Sequence, residues 1–340
     1  MKKVGRTMQP ALFEISSESI ACTLGALGAS IASVRVRSAR GTWTQVALSP
    51  ESLWSGAPDP SLAGRTIAPC CGRVRGGAID VDGAPHRLSL NDGPNHIHGG
   101  FEGAAHQLWT AEQVSATCVR FSLRLPHGLD GYPGDRALTA EYAVEGAALS
   151  VVYTACTDRA TWLDMTSHAY WDLSGRFDGG ALGQRLEIPA RRVVYNGEGH
   201  LPQSVEPAAG AFDFRRPARL CDSMRLGPAH AQLALGRGYN NAFLLDKGAV
   251  YGVAARLSSS ATGIAMTMES DRPAVVLYSG GFLGADTPLR GGGHASPGCA
   301  VALEAQGAPD PFHLPGAEPA LLRPGDAFHA KICWRFASFI

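Results

Sequence analysis

Hydrophobic positions in this chain alternate with polar ones over short stretches and then break off. In Cys118–Leu125, Phe121, Leu123 and Leu125 share one side of an extended backbone while Arg120, Ser122 and Arg124 share the other. That period of two is the mark of a half-buried strand. Runs that alternate, or that are rich in β-branched and aromatic residues, recur at Ser33–Val36, Leu138–Val144, Leu149–Thr154, Ala274–Tyr278 and Ala330–Phe336. Helical periodicity is scarce, and its best short candidate lies around Ala111–Ser115. Many short strands separated by turn signals predict an all-β sandwich or barrel. The Pro/Gly-rich stretches 56–64, 207–218 and 286–298 read as loops within a sheet fold, because strand patterning resumes after each one. No repeat is visible, so the pattern predicts one domain over residues 1–340, with 1–10 a loose N-terminal extension.

Composition narrows the function classes. The 340 residues carry 30 Lys and Arg against 30 Asp and Glu, so no net field recruits nucleic acid, anionic lipid or a polyanionic substrate. The 8 cysteines are scattered without a CxxC pair, which reads as buried thiols in a reducing compartment. The basic start, Met1 to Thr7, is not followed by an apolar core like that of a signal peptide. No apolar run approaches the ~20 residues of a membrane span. A cytoplasmic protein is the expectation.

Three patches hold residues that core packing does not explain: Asn95-His96-Ile97-His98-Gly99-Gly100, Thr166–Leu173 and Ala302-Leu303-Glu304-Ala305-Gln306. Two imidazoles, His98 and His168, and one carboxylate, Glu304, amount to a general acid–base kit for a neutral substrate. His96 and His98 at i and i+2 also form a metal-ligand spacing, and with Glu102 they echo the first cupin motif. That echo lacks the motif's flanking glycines and has no second histidine-bearing segment, so no metal is expected. Taken alone, His168 reads as a structural histidine; Tyr170 and Trp171 beside it change that, offering flat faces on which a sugar ring stacks. Asp172 reads as a strand-end cap. Glu304 is either turned outward on an edge strand or buried with a task, and Gln306 faces the same way. Arg73 and Arg75 lie in a Gly-rich loop; Arg75 reads as a solvated hairpin end.

Together these segments resemble the aldose 1-epimerase (mutarotase) family, whose signatures include Asn-x-Leu-His-Gly-Gly, Thr-Asn-His-x-Tyr-Phe-x-Leu and Leu-Glu-Thr-Gln. Lesser matches follow in the expected order, among them Gly131-Tyr132-Pro133-Gly134, Gly238–Leu245, Tyr278–Leu283 and Leu322-Arg323-Pro324-Gly325. The likeness runs from about residue 20 to 336. It implies a galactose mutarotase-like β-supersandwich of antiparallel sheets with few short helices, no metal or organic cofactor, and a monomer or homodimer. It also implies Glu304 as base, His168 as acid, His98 as the second histidine and Arg73 as a substrate-binding arginine. The family's substrate-binding Asp falls on Asn240, its Asn on Ser167 and its Phe on Trp171, departures that leave the preferred sugar open.

The reaction so implied is interconversion of the α and β anomers of a free aldose by opening and reclosing the hemiacetal ring. Tyr170 and Trp171 would border or stack on that ring, and Arg73, Asn240 and Gln306 would hold its hydroxyls. A hexose-6-phosphate 1-epimerase would want basic residues around the site, and the phosphate-specific relatives carry His-Gly-Phe-Ala-Arg where this chain reads His98-Gly99-Gly100-Phe101-Glu102. A non-catalytic carbohydrate-binding protein would not need Glu304 and both histidines together.

Overall fold

The computed structural model describes residues 9–227 and 229–339. Six runs marked by their patterning lie in strands: Ser30–Arg37, Cys118–Leu125, Arg136–Glu145, Ala148–Thr157, Ala274–Tyr278 and Phe328–Ser338. In Cys118–Leu125 the side holding Phe121 and Leu125 is buried, while Arg120, Ser122 and Arg124 are exposed. The three α-helices among the described residues are short: Ser52–Ser55, Leu220–Arg225 and Ala231–Gly236.

The expected helical segment is a strand. Thr110–Ser115 pairs antiparallel with Cys118–Leu125 at the edge of a nine-stranded sheet, and nearly all its side chains face solvent. A strand without a buried face has no alternation to reveal it. The nine-stranded sheet continues through Arg136–Glu145, Ala148–Thr157, Phe328–Ser338, Ile264–Ser270 and Gly252–Ser259 to the short strands Arg185–Glu187 and Ala218–Arg219. A six-stranded sheet runs in the order Tyr170–Trp171, Val301–Gln306, Ala274–Tyr278, Asn240–Leu244, Arg192–Asn196, Pro202–Pro207. A four-stranded sheet forms from Leu12–Ser16 to Trp43–Gln45. The strand pairings of all three are antiparallel.

One apolar cluster joins the large sheets. Leu303, Ala305, Leu277, Phe243 and Trp171 from the six-stranded sheet bury with Met266, Met268, Ile332, Trp334 and Phe336 from the nine-stranded one. This burial leaves the six-stranded sheet with one face committed to the core and one free for chemistry.

All eight cysteines are free. The expectation of buried thiols holds for Cys22, Cys70, Cys71, Cys299 and Cys333, but Cys118 and Cys221 are half-buried and Cys156 is exposed. Cys156 sits near the end of a strand beside the half-buried Thr157. Scatter along a sequence does not report the side of a sheet on which a thiol falls. No described helix is long and apolar enough to cross a membrane. The N-terminal extension expected over 1–10 lies outside the described residues except for Gln9 and Pro10.

Candidate active site

Alternation along Val301–Gln306 sorts its six residues. Val301, Leu303 and Ala305 join the main core, so Ala302, Glu304 and Gln306 take the opposite face. On that face register builds two rows. Ala302 lies opposite both Tyr170 and Tyr278, and Tyr278 lies opposite Asn240. Glu304 lies opposite Val276, which faces Ala242. Above these rows is a cavity of about 480 Å³, lined among others by Arg73, His98, His168, Tyr170, Asn240, Glu304 and Gln306.

Trp171 is not among them, and the reading that set it against a sugar ring is corrected. Adjacent strand residues point to opposite faces. With Tyr170 on the cavity, Trp171 must enter the core, where its ring centroid lies 5.6 Å from that of Trp334 and 5.8 Å from that of Phe336. Asp172 does cap the strand end: its carboxylate accepts from the backbone N–H groups of Ser174, Arg176 and Phe177 and from the Ser174 hydroxyl.

His168 is held on both sides of its peptide. Its N–H donates to the Arg65 carbonyl and its own carbonyl accepts from the Gly64 N–H, each at 2.9 Å. The imidazole stacks on Tyr170 at 5.0 Å and meets the edge of His98 at 5.3 Å. Its Nε2 stands 3.8 Å from Glu304 Oε2, with both side chains buried. Loss of water pushes the Glu304 carboxyl above its ordinary value, an effect the neighbouring His168 opposes. Glu304 Oε2, His168 Nδ1 and Gln306 Nε2 are buried without a hydrogen-bond partner among the described residues. Buried polar atoms ordinarily have one, so three together at one cavity mark a place made for a polar ligand.

His98 arrives from the opposite wall on the loop that follows the two-residue strand His96–Ile97, paired with Arg73–Val74. Its backbone is left-handed, with φ 52°. Gly99 is required next to it, since a Cβ there would collide with the Ala68 carbonyl oxygen. His98 Nδ1 accepts from the Gly72 N–H at 3.3 Å. Burial first, then the charge of His168, holds His98 well below the usual imidazole range. A neutral ring with an accepting Nδ1 carries its proton on Nε2 and acts as a donor.

The left-handed turn also separates the two histidines of the HxH pair. His96 Nε2 takes a hydrogen bond from the Tyr132 hydroxyl at 2.8 Å, and its Nδ1 lies 2.7 Å from the Ser89 carbonyl. Both its nitrogens are therefore spent on structure, and Glu102 is exposed. Among the described residues no three His, Cys, Asp or Glu side chains gather as a metal-ligand set. Arg73 reaches the cavity with Nε bound to Asp92 at 2.6 Å. Arg75 is exposed.

Sequence reasoning missed the far end of the cavity. Tyr278 appeared only within a minor motif, yet it lies in the floor and its hydroxyl takes the Phe282 N–H at 2.7 Å. Asn196, His200, Phe282 and Asp286 also line the cavity. Phe282 falls inside the Tyr278–Leu283 match, but no motif marks Asn196, His200 or Asp286; the Asn196-Gly197 step, a turn signal, is the one cue to that region.

The aldose 1-epimerase family model matches residues 12–333. The galactose mutarotase of Rattus norvegicus is 29% identical over 329 residues, which is 96% of this chain and 93% of the relative. The aldose 1-epimerase of Escherichia coli (strain K12) is 30% identical over 320 residues, 92% of this chain and 91% of the relative. Among solved structures, the galactose 1-epimerase of Lactobacillus acidophilus NCFM has a TM-score of 0.82 at 26% identity, covering 97% of this chain and 95% of its own. An aldose epimerase homologue from C. elegans, at 24% identity and covering 97% of this chain and 100% of its own, agrees in fold with a TM-score of 0.89.

Proposed function

The chain belongs to the aldose 1-epimerase family and is an isomerase, and from that premise we propose that it interconverts the anomers of a free aldose by acid–base ring opening. Glu304 removes the proton from the C1 hydroxyl, and protonated His168 delivers one to the ring oxygen. The C1–C2 bond of the open aldehyde then rotates, and closure on the other carbonyl face runs both transfers in reverse. His98 donates from Nε2 to the same region and steadies the charge that develops there. Each positioned proton transfer is worth roughly 10²–10⁴-fold, and fixed donors aimed at developing charge add to it.

The observation that supports this reading most directly is the buried His168–Glu304 pair, 3.8 Å apart at the floor of the cavity. A protein that only binds sugar can use a carboxylate to hold a hydroxyl, but it does not need that carboxylate set beside an imidazole able to deliver a proton. The charges on the wall favour a free sugar over its 6-phosphate. Among the described residues Arg73 is the one Arg or Lys on the lining and is already paired, while Asp92, Asp286 and Glu304 are all carboxylates.

The test is polarimetry or NMR on freshly dissolved α-aldoses. Wild type should speed the approach to anomeric equilibrium, and Glu304→Gln and His168→Ala should each lower kcat by at least about a hundredfold. Folded Glu304→Gln protein with near wild-type kcat would sink the assignment.

A further inference from the structure

Resting on the mutarotase reading, we infer that His200 is a specificity-determining residue: with Asn240 it forms the end of the site that reads the sugar substituents farthest from the anomeric carbon. The sheet sets the distance. Asn240 stands two strands across and two residues along from Glu304, which is about 12 Å between backbones at ~4.8 Å per strand and ~3.4 Å per residue. One pyranose ring fills that span once a side chain and a hydrogen bond are added at each end. With C1 at Glu304, the groups on C4 and C5 face Asn240.

His200 ends the short turn Glu198–His200 that follows the next strand outward, Arg192–Asn196. Its predecessor Asn196 donates from Nδ2 to the Asn240 carbonyl at 2.7 Å. The Asn196 peptide is clamped by Gln232, whose Oε1 accepts from its N–H and whose Nε2 donates to its carbonyl, both at 2.8 Å. From this fixed point the chain turns through Gly199 and His200, the latter at φ 58°, a conformation that side chains other than Gly, Asn, Asp and His rarely adopt. The turn places the imidazole on the cavity, edge-on to Phe282 with ring centroids 5.3 Å apart. Its Nδ1 is buried and has no partner among the described residues. Phe282 is itself fixed from behind, by the Tyr278 hydroxyl and by the Arg237 guanidinium 4.9 Å over its ring. A strained backbone that sets an imidazole on the wall of a cavity is a feature found at binding sites.

A neutral imidazole and an amide each donate and accept. They therefore suit the neutral hydroxyls of an aldohexose, and they give no counter-charge to a phosphate. The experiment compares galactose and glucose with their 4-deoxy and 6-deoxy analogues, reading kcat/KM by mutarotation and Kd by ligand-observed NMR. Loss of mutarotation in wild type would defeat the catalytic reading, while the Kd arm would still test this one. His200→Gly is the informative deletion, because glycine accepts φ 58° and the turn survives. The ratio of parent to deoxy sugar should fall about tenfold for at least one of the two positions, carried by KM rather than kcat, as loss of one hydrogen bond implies. His200→Asn, which tolerates the same backbone and keeps a hydrogen-bonding group, should restore most of that ratio. An unchanged ratio, or equal weakening of every sugar, overturns the inference.

Discussion

The two faces of the six-stranded sheet differ by a single residue of register and do opposite work. Toward the nine-stranded sheet stand Trp171, Leu277, Leu303 and Ala305, all closed in apolar packing. Toward the cavity stand Tyr170, Tyr278, Glu304 and Gln306, of which Glu304 and Gln306 each hold a buried polar atom without a partner among the described residues. The first face obeys the rule that buried surface should be close-packed, and its polar exceptions are the indole N–H groups of Trp171 and Trp334, which have no partner among the described residues. The second breaks the rule that buried polar groups find partners. Stability and chemistry thus sit back to back on the same strands, and substitutions one residue apart should separate them.

The largest effect should come from the core face. Trp171→Ala opens a hole between Trp334 and Phe336 and should cost about 3–5 kcal/mol of unfolding free energy. Chemical denaturation should show the loss, with KM near wild type in the fraction that remains folded. A mutant that keeps its stability but binds sugar poorly would put Trp171 back at the ligand.

On the cavity face the sign should reverse. Glu304→Gln should lose at least about 2.7 kcal/mol of transition-state stabilisation, the equivalent of a hundredfold, yet unfold no more easily than wild type. The reason lies in linkage. The folded carboxyl is raised above its ordinary 4.5, so its contribution to stability is fully present below that value and is lost as pH rises through the folded pKa. Near neutrality the ionised group is a liability that the neutral amide removes. Tm measured at pH 7.5 should be equal or higher in the variant, and a clear drop would mean that the carboxylate is structural.

The same shift sets the acid side of the activity profile. Glu304 must be ionised to accept the proton, so kcat/KM should rise with pH through an apparent pKa above 4.5, and Glu304→Gln should abolish that limb. A limb centred below 4.5 would place the base elsewhere.

What the sequence disclosed follows the same division between faces. Strands with one wet side, such as Cys118–Leu125, announced themselves by alternation. Val301–Gln306 did not, because all six residues are buried, on the core or on the cavity. Glu304 was legible only through its motif. Thr110–Ser115 misled for the opposite reason, being exposed almost throughout. Trp171 was misplaced because a motif lists neighbours in order, whereas a strand sends neighbours to opposite sides. His200 left only a turn signal nearby, since it reaches the cavity through a left-handed turn and a clamp by Gln232, residues that are neighbours only in space.

The smallest effect should come from Asn240, at the far end of the row that runs from Tyr170 through Ala302 and Tyr278. Its backbone carbonyl is used by Asn196, while its side chain lies on the cavity. A carboxylate accepting from a sugar hydroxyl makes a bond worth roughly 1.5–3 kcal/mol, against about 0.5–1.5 for a neutral amide. A difference near 1.4 kcal/mol is about tenfold in affinity, and part of it is lost because an aspartate here faces Asp92 and Asp286 across the same cavity. Asn240→Asp should therefore raise kcat/KM for galactose and glucose severalfold, and lower it for a sugar that presents an acceptor at that end. Kinetics across a panel of aldoses decides the matter. If wild type already prefers galactose or glucose and the substitution changes nothing, the amide is neutral toward specificity, and discrimination at this end falls to His200 alone.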